Sequence, residues 1–283
     1  MHCLRDWSNM TDWTGILELD LENRQGRTVA KKVYFQGALK VMRPVYLNNY
    51  NFPCYYLLNP GGGYLDGDTY RMKVTLDEGA EVTLTTQSAT KVYKTPSKEA
   101  YQETEFHLKK DSYLEYLPDP LIAYQDARYF QKNTVYMEKG ATLLYSDILT
   151  PGWSPEGKQF SYDQLRLINE IYMDNELIAF DHINLNPGAQ EIGGLGFMEG
   201  YTHLGSLIVI GEKTDSALLD LLYETINEET ADIKAGLSEL YVPGFTIRLL
   251  ANSTQVIERV FTACHHAISN QWYQMKPSFL RKY

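Results

Sequence analysis

The sequence predicts a mainly β protein of layered, stacked antiparallel hairpins with β-solenoid-like character and a small C-terminal helical portion. Aromatic residues make up 13% of the chain, including 22 tyrosines, and such side chains suit pleated strands. Apolar and polar residues alternate in several runs, which is typical of strands with one buried face. Turns at Gly79, Asp111 and Gly140 follow one another after 32 and then 29 residues.

The strand–turn units explain the stacking prediction. Tyr70–Leu76 alternates strictly, Gly79 marks a tight turn, and Val82 and Leu84 resume the alternation. Similar units surround the later two turns. A period near 30 residues favours stacked β units that bury their apolar faces on one another, slightly ahead of a plain sandwich with hairpins of similar length.

The last third of the chain changes to helical periodicity. Asp215 or Thr214 can cap a helix, and a strand is expected from Val242 to Leu250. A second helix is expected after Asn252-Ser253. No linker separates these parts, so residues 1–283 are read as a single domain. The apolar stripes of the two helices are Leu218, Leu219, Leu222 and Ile226, then Ile257, Val260, Phe261, Cys264 and Ile268.

Composition limits the possible functions. The formal net charge of −10 argues against nucleic-acid binding, since it would repel a phosphate backbone. Three cysteines are too few for a disulfide framework or a zinc knuckle. No apolar run approaches the ~18 residues that span a bilayer, and the first fourteen residues lack a signal-peptide core. These features predict a cytoplasmic protein without a membrane partner.

Common catalytic templates are not found. The sequence contains neither a G-x-S-x-G elbow nor an H-E-x-x-H zinc motif. The glycine-rich segment Asn59–Asp68 lacks the Lys-Ser/Thr end of a P-loop and leads into a strand, so its glycines are expected to permit unusual backbone angles or close approach. Cys264, His265 and His266 are consecutive on a helix and cannot converge on one ion, so a core thiol and two surface imidazoles are expected.

Three carboxylates lie among apolar residues near strand ends: Asp68, Asp126 and Asp147. A buried carboxylate is costly unless it is hydrogen-bonded or lies near a cation. One interpretation pairs them with arginines, and the other places them in a hydrophilic row of oxygen ligands inside the protein. The arginines are Arg71, Arg128 and Arg166, and the hydroxyls that could join such a row are Thr85, Thr86, Ser88 and Thr90.

Two segments in combination resemble the signature of the urease accessory protein UreD, called UreH in some systems. They are Asn59–Asp68, with the pattern NPxGGxxxGD, and Leu84–Tyr93, with LTTQxATKVY. Leu117–Ile122 (LPDPLI) and Gly140-Ala141 match as well. The similarity extends from about Trp13 to the C-terminus.

The resemblance implies a scaffold and chaperone with no catalytic role. Such a protein binds apo-urease and, with UreF and the GTPase UreG, helps to deliver nickel to the dinuclear site, as part of a hetero-oligomer. It implies no tightly bound cofactor, only transient nickel(II) in a water-filled passage. Residue by residue, Asp68, Thr90 and Asp147 match family positions that the resemblance places along that passage, and Asp126 is a weaker candidate.

Two more expectations concern partners. Partner surfaces are needed for urease and for the UreF homologue, and the C-terminal helices with Trp272 and Tyr273 are candidates for one of them. The alternative function is a β-sandwich carbohydrate-active enzyme or carbohydrate-binding module, which the tyrosines and scattered carboxylates would suit. Such an enzyme needs two carboxyl groups about 5 to 9.5 Å apart across an open cleft.

Overall fold

A computed structural model describes residues 12–46, 52–229 and 232–273. Their strands form two large sheets that face each other across a common apolar core. The order in the first sheet is β14 (Glu176–Leu185), β13 (Gln164–Met173), β11 (Arg128–Met137), β8 (Ala100–Leu108), β5 (Thr69–Leu76), β1 (Gly15–Arg24), β2 (Arg27–Gly37). The order in the second is β16 (Lys234–Glu239), β17 (Gly244–Ala251), β15 (His203–Ile210), β12 (Thr142–Leu149), β9 (Tyr113–Leu117), β6 (Glu81–Thr86), β4 (Cys54–Leu58), β3 (Lys40–Val41).

The central strands of both sheets are parallel, because the chain alternates between the sheets and returns one coil further along. Thus β5, β8 and β11 are neighbours in the first sheet, while β6, β9 and β12 are neighbours in the second. Leu76 is in register with Leu108, and Leu108 with Met137. Those steps repeat the 32- and 29-residue spacing of the turns. The stacked, solenoid-like architecture is therefore confirmed. Beside the second sheet, β7 (Thr90–Val92) and β10 (Leu121–Ala123) pair in parallel.

The hairpin interpretation of the repeated units is wrong. Strands β5 and β6 do not pair with each other; they lie in different sheets, and the turn at Gly79 (φ +65°) carries the chain across. Their apolar faces meet through the core, so alternation reveals which face is buried but not which strand is the neighbour. Antiparallel hairpins do occur at the sheet edge formed by β1 and β2 and at the opposite edge formed by β13 and β14.

Two helices form a third layer on the outer face of the second sheet. They are α1 (Ser216–Asn227) and α2 (Thr254–Tyr273), and their buried residues are those that the periodicity predicts. Asp215 caps α1 by accepting a hydrogen bond from the Leu218 amide at 2.8 Å. The predicted strand between the helices is β17. Within the described ranges, neither helix combines the length and apolarity that a membrane span requires.

Candidate functional site: a polar row in the core

Polar side chains interrupt the apolar core at matching levels of successive coils. On the first sheet, Gln102 of β8 is in register with Gln131 of β11, and Asn133 is in register with Asn169 of β13. Asn169 in turn faces Asp181 of β14. We define the interior row as the residues Asn59, Tyr64, Asp68, Tyr70, Gln102, Tyr129, Gln131, Asn133, Tyr145, Asp147, Asn169, Asp181, Ser206 and Arg248.

The glycine-rich loop positions the first end of the row. Asp68 accepts hydrogen bonds from the Leu65 amide at 2.8 Å and the Tyr70 hydroxyl at 3.1 Å. Asn59 donates to the same hydroxyl at 3.2 Å. Gly63 lies where a Cβ atom would meet the Lys91 carbonyl oxygen at 2.7 Å, which confirms the expected close approach. The loop thus fixes a carboxylate at the entrance to the core.

Buried tyrosines carry the row through the middle of the molecule. The Tyr64 hydroxyl donates to Gln102, and the Tyr129 hydroxyl donates to Gln102 at 3.3 Å and to Gln131 at 3.1 Å. Burial raises the pKa of Tyr64 and Tyr129 well above the ordinary value. Both phenols are therefore neutral donors at physiological pH. Tyr64, Tyr70 and Tyr129 are all buried.

One cavity of about 90 Å³ joins several members of the row. The cavity has room for several water molecules, since one water needs about 10–15 Å³ of cavity volume measured in this way. Asn59 and Gly63 border one part of it, and Asp147 borders another. Beyond Asp147 the row consists of hydrogen-bonded side chains rather than open space. The polar groups around the cavity are Asn59, Tyr64, Thr86, Gln87, Ser88, Thr90, Lys91, Gln102, Tyr116, Asp119, Gln131 and Asp147.

Asp147 is the most perturbed carboxyl group of the row. It is 9% exposed and accepts a hydrogen bond from the Tyr145 hydroxyl. Burial, reinforced by the negative charge of Asp181, raises the pKa of Asp147 to about 8, although Asn169, Arg248 and Gln131 oppose the shift. The group is consequently mostly protonated at neutral pH, which leaves this part of the row with little net charge.

The far end of the row connects the two sheets. Asn133 donates to the Tyr145 hydroxyl at 2.9 Å and to the Asn169 carbonyl at 2.8 Å. The guanidinium of Arg248, on β17 of the second sheet, forms an ion pair with Asp181 on β14, the edge strand of the first sheet. Two buried oxygens there, Oδ1 of Asn133 and Oγ of Ser206, have no hydrogen-bond partner.

Of the four predicted site residues, Asp68 and Asp147 belong to the row, and Thr90 borders the cavity together with Asp147. Asp68 does not border the cavity; its bond from Tyr70, which Asn59 also contacts, links it to the cavity wall. Asp126 lies elsewhere, on a turn (φ +61°) where it pairs with Lys94 at 2.7 Å. The three arginines do not pair with these carboxylates; they contact Glu105, the Thr95 carbonyl and Glu99. Of the predicted hydroxyls, Thr86 and Ser88 border the cavity, whereas Thr85 donates to the Leu117 carbonyl at 2.6 Å.

A larger groove of about 1000 Å³ lies between α2 and the outer face of the second sheet. Its apolar part includes Leu117, Ile122 and Ile148, and His265 lies at its base. Nε2 of His265 donates to Glu115 Oε1 at 2.7 Å, so His265 is not the surface imidazole that its helix position predicts. Cys264 is buried as expected, and the described residues contain no group of three or more potential metal ligands among His, Cys, Asp and Glu.

The Glu115 carboxylate accepts hydrogen bonds besides the one from His265. Glu115 also accepts from Thr83 at 2.7 Å and from Tyr113 at 2.5 Å. Burial raises the pKa of Glu115, but the charge and hydrogen bond of His265 and the two hydroxyls outweigh it and lower the pKa. Burial likewise lowers the pKa of His265, and Glu115 more than reverses this, so the net shift is upward.

The sequence analysis missed several members of the row, although a signal was present. Gln131 and Asn133 occupy the inward positions that continue as Val135 and Met137, and Asn169 lies between inward Leu167 and Ile171. An amide at an inward position of an otherwise apolar strand face indicates an interior polar group. Asp181 and Arg248 gave no such signal, because only the packing of the two sheets against each other brings them together.

Comparison with known proteins identifies the family. The sequence model described as UreD urease accessory protein matches residues 14–282. A protein of Lachnoclostridium phytofermentans named urease accessory protein UreD is 49% identical over 274 residues, which cover 97% of this chain and 100% of that protein. A protein of the same name from Staphylococcus aureus is 46% identical over 273 residues, or 96% and 98% of the two chains. The chain therefore belongs to the UreD family of urease accessory proteins.

Proposed function

We propose that this protein is a non-catalytic scaffold in urease maturation that acts in the cytoplasm. It binds apo-urease and, together with UreF and UreG, allows nickel(II) to pass along the interior row toward the dinuclear site of the enzyme. The observation that carries the proposal is the row itself, a succession of oxygen-bearing side chains from Asp68 to Asp181 through a core that is otherwise apolar.

The chemistry of the row suits a transferred ion. Amide, phenol and carboxyl oxygens hold nickel less tightly than thiolate and imidazole do. A dissociation constant near 1 nM corresponds to about −12 kcal/mol, and such an affinity would trap the ion. The neutral state of Asp147 and the tyrosines at physiological pH also limits the attraction. A row of this kind supports passage rather than storage.

Passage needs side-chain movement in part of the row. Space is already open between the Asn59 loop and Asp147, but Asn133, Asn169 and Asp181 are hydrogen-bonded to one another. These amides have to rotate in turn as the ion exchanges one oxygen ligand for the next. Asn133 and Asn169 are uncharged, so their rotation breaks a small number of neutral hydrogen bonds, whereas Asp181 must also leave its ion pair with Arg248.

The experiment is urease activation in a reconstituted system with substituted accessory protein. Asp147→Ala and Asp68→Ala are expected to lower the activation rate about tenfold each, equivalent to a barrier about 1.4 kcal/mol higher, while the accessory complex still assembles. Asp126→Ala is the matched control, because this carboxylate lies outside the row. Wild-type rates for both row variants would refute the passage.

The outer groove is our proposed site for one of the two partner proteins. Its apolar lining and its position beside the exposed side of α2 fit an apolar segment of that partner. Trp272 does not contribute, because it is buried and its Nε1 donates to the Lys213 carbonyl at 3.1 Å. The Tyr273 side chain lies outside what the structure describes.

A charge placed in the groove tests this surface. Thr262→Lys introduces an ammonium group on the groove side of α2, and it should abolish co-elution with one accessory partner or with urease. Asn227→Lys adds the same charge to the exposed end of α1 and should leave both complexes intact. Equal retention of all partners by the two variants would exclude the groove as a docking surface.

The carbohydrate alternative has no support from the arrangement of carboxyl groups. Asp147 is buried inside the core, and Asp68 belongs to the hydrogen-bonded loop at the end of the row. A glycoside hydrolase instead needs a pair of carboxyl groups across an open cleft. Membership of a family of accessory proteins points the same way.

A further inference from the structure

The far end of the interior row contains a ring of polar side chains that hydrogen bonds and one ion pair link in part. Asp147, Ser206 and Arg248 occupy one register line of the second sheet, on adjacent strands β12, β15 and β17. Asn133, Asn169 and Asp181 occupy the facing line of the first sheet. The Tyr145 hydroxyl joins Asn133 to Asp147, and Arg248 joins Asp181 back to the second sheet.

Two oxygen atoms in this ring lack partners. Asn133 is 2% exposed and uses its amide nitrogen for both of its bonds, so its Oδ1 accepts nothing. Ser206 is 3% exposed, and its Oγ neither donates nor accepts. Buried polar atoms are normally satisfied, and an unsatisfied one calls for an explanation such as a bound ion or water. Two such atoms beside two carboxyl groups point to an oxygen-rich binding site.

Arg248 is the cation that the ring already contains. Its side chain is 41% exposed, whereas that of Asp181 is 17% exposed. The guanidinium can therefore swing into solvent, while the carboxylate stays at the edge of the core. As long as the pair is closed, Asp181 is neutralised and a second cation is repelled.

We propose that Asp147, Asp181, Asn133 and Ser206 form a holding site for a divalent cation at the end of the row, and that Arg248 is its exchangeable counter-ion. When the metal ion arrives, the guanidinium leaves Asp181, and when the metal ion departs, the guanidinium returns. This inference rests on the proposed function, because it assigns a place where the transported nickel pauses and a residue that makes the pause short.

Nickel binding by the full-length chain tests the proposal directly. In equilibrium dialysis with Ni²⁺ alone, Arg248→Gln should bind at least about tenfold more tightly than wild type, because the competing cation is gone while Asp181 is kept. Arg248→Lys retains a positive charge and should bind as weakly as wild type. Adding Asp181→Asn to Arg248→Gln should remove the gain.

Arg259→Gln is the matched control, since Arg259 pairs with Glu229 at 2.8 Å on the helical layer and is remote from the ring. Its nickel affinity should equal that of wild type. An unchanged affinity of Arg248→Gln would overturn the holding site, as would a gain that survives Asp181→Asn. Thermal unfolding of each variant verifies that a loss of binding does not come from a loss of folded protein.

The activation assay separates this inference from the proposed function. If Asp147→Ala slows urease activation but Arg248→Gln leaves nickel affinity unchanged, the passage stands and the exchange role of Arg248 is refuted. If Arg248→Gln binds nickel more tightly while Asp147→Ala and Asp68→Ala activate at the wild-type rate, the holding site stands and the passage is refuted.

Discussion

The two buried layers of this protein contain polar groups of different kinds. Between the two sheets, polar side chains form a long row in which some oxygens have no partner and one carboxyl group is largely protonated. Between the second sheet and the helices, the carboxylate of the Glu115–His265 ion pair also accepts hydrogen bonds from Thr83 and Tyr113. The buried carboxylate of the helical layer is thus satisfied, whereas Oδ1 of Asn133 and Oγ of Ser206 in the row are left without partners.

The difference separates stability from function. A saturated ion pair fixes α2 to the sheet and leaves nothing to bind a further ligand. An incomplete row costs stability, because buried polar groups without partners are unfavourable. A protein that retains such a row is expected to use it. Replacing a carboxyl group by an amide should therefore destabilise the protein in the helical layer and stabilise it in the row.

Removing the charge of Glu115 should have the largest effect on stability. Glu115→Gln removes the charge on which three hydrogen bonds depend, those from His265, Thr83 and Tyr113, and His265 then becomes neutral; the expected cost is about 3–5 kcal/mol in total. The expected result is a lower denaturation midpoint in urea with an unchanged slope. Exposed Glu156→Gln is the control and should unfold like wild type. A shift of Glu115→Gln within the error of that control would show that the ion pair is dispensable.

Asp147→Asn should stabilise the protein at neutral pH. The folded pKa of Asp147, about 8, lies above the ordinary value of 3.8, so the native state binds the extra proton. Stability consequently falls as pH rises between those values, by up to about 1.4 kcal/mol per pH unit. The variant has no carboxyl group to titrate, so its stability does not fall in this way. In urea denaturation, the free energy of unfolding of the variant should exceed that of wild type by an amount that grows from pH 4 to pH 8.

The contrast with the helical layer depends on the sign of this result. Exposed Asp163→Asn serves as the control and should show no such pH-dependent gain. Were Asp147→Asn to lose stability at pH 7, Asp147 would be a satisfied structural carboxylate like Glu115, and the distinction between the layers would disappear.

The Glu115–His265 ion pair should stabilise the protein most within a limited range of pH. The lowered pKa of Glu115 means that its contribution is present above its ordinary value of 4.5 and is lost as pH falls through the folded pKa. The raised pKa of His265 means that its contribution is present below 6.5 and is lost as pH rises through the folded pKa. The stability difference between wild type and Glu115→Gln should therefore be greatest between pH 4.5 and 6.5, in urea denaturation series across pH. A difference that is flat from pH 3 to 9 would contradict the linkage.

Much of the fold could be predicted because its signals are local. The period of the turns gives the coil length, and the helical stripes give both helices and their caps. The pairing of strands could not be predicted from alternation alone. Strands β5 and β6 bury the same kind of face whether they are neighbours in one sheet or oppose each other across two. Distinguishing these cases requires the long-range register, which no short segment encodes.

The candidate site shows the same limit. The resemblance places Asp68, Thr90 and Asp147 along one passage. In the structure Thr90 and Asp147 border the cavity and Asp68 belongs to the row, and their role in a passage stays a prediction. The neighbours that complete the row are separated in sequence by whole coils, for example Asn133 and Asn169. Glu115 and His265 are 150 residues apart, so their contact could not be inferred from spacing. Sites of this kind form only when the coils stack and bring residues that are distant in sequence into contact.

Hydroxyl deletions test the comparison at its smallest scale. Thr83→Val removes a hydrogen bond to the charged Glu115 and should cost about 1.5–3 kcal/mol. Ser206→Ala removes an oxygen that has no partner, so it should change the free energy of unfolding by less than about 0.5 kcal/mol or slightly stabilise the protein. Paired urea titrations measure both. A cost for Ser206→Ala as large as that for Thr83→Val would mean that its hydroxyl is already bonded, to a fixed water for instance, and that the row is as complete as the helical layer. A negligible cost would leave Ser206 as an acceptor kept in the core for something other than stability.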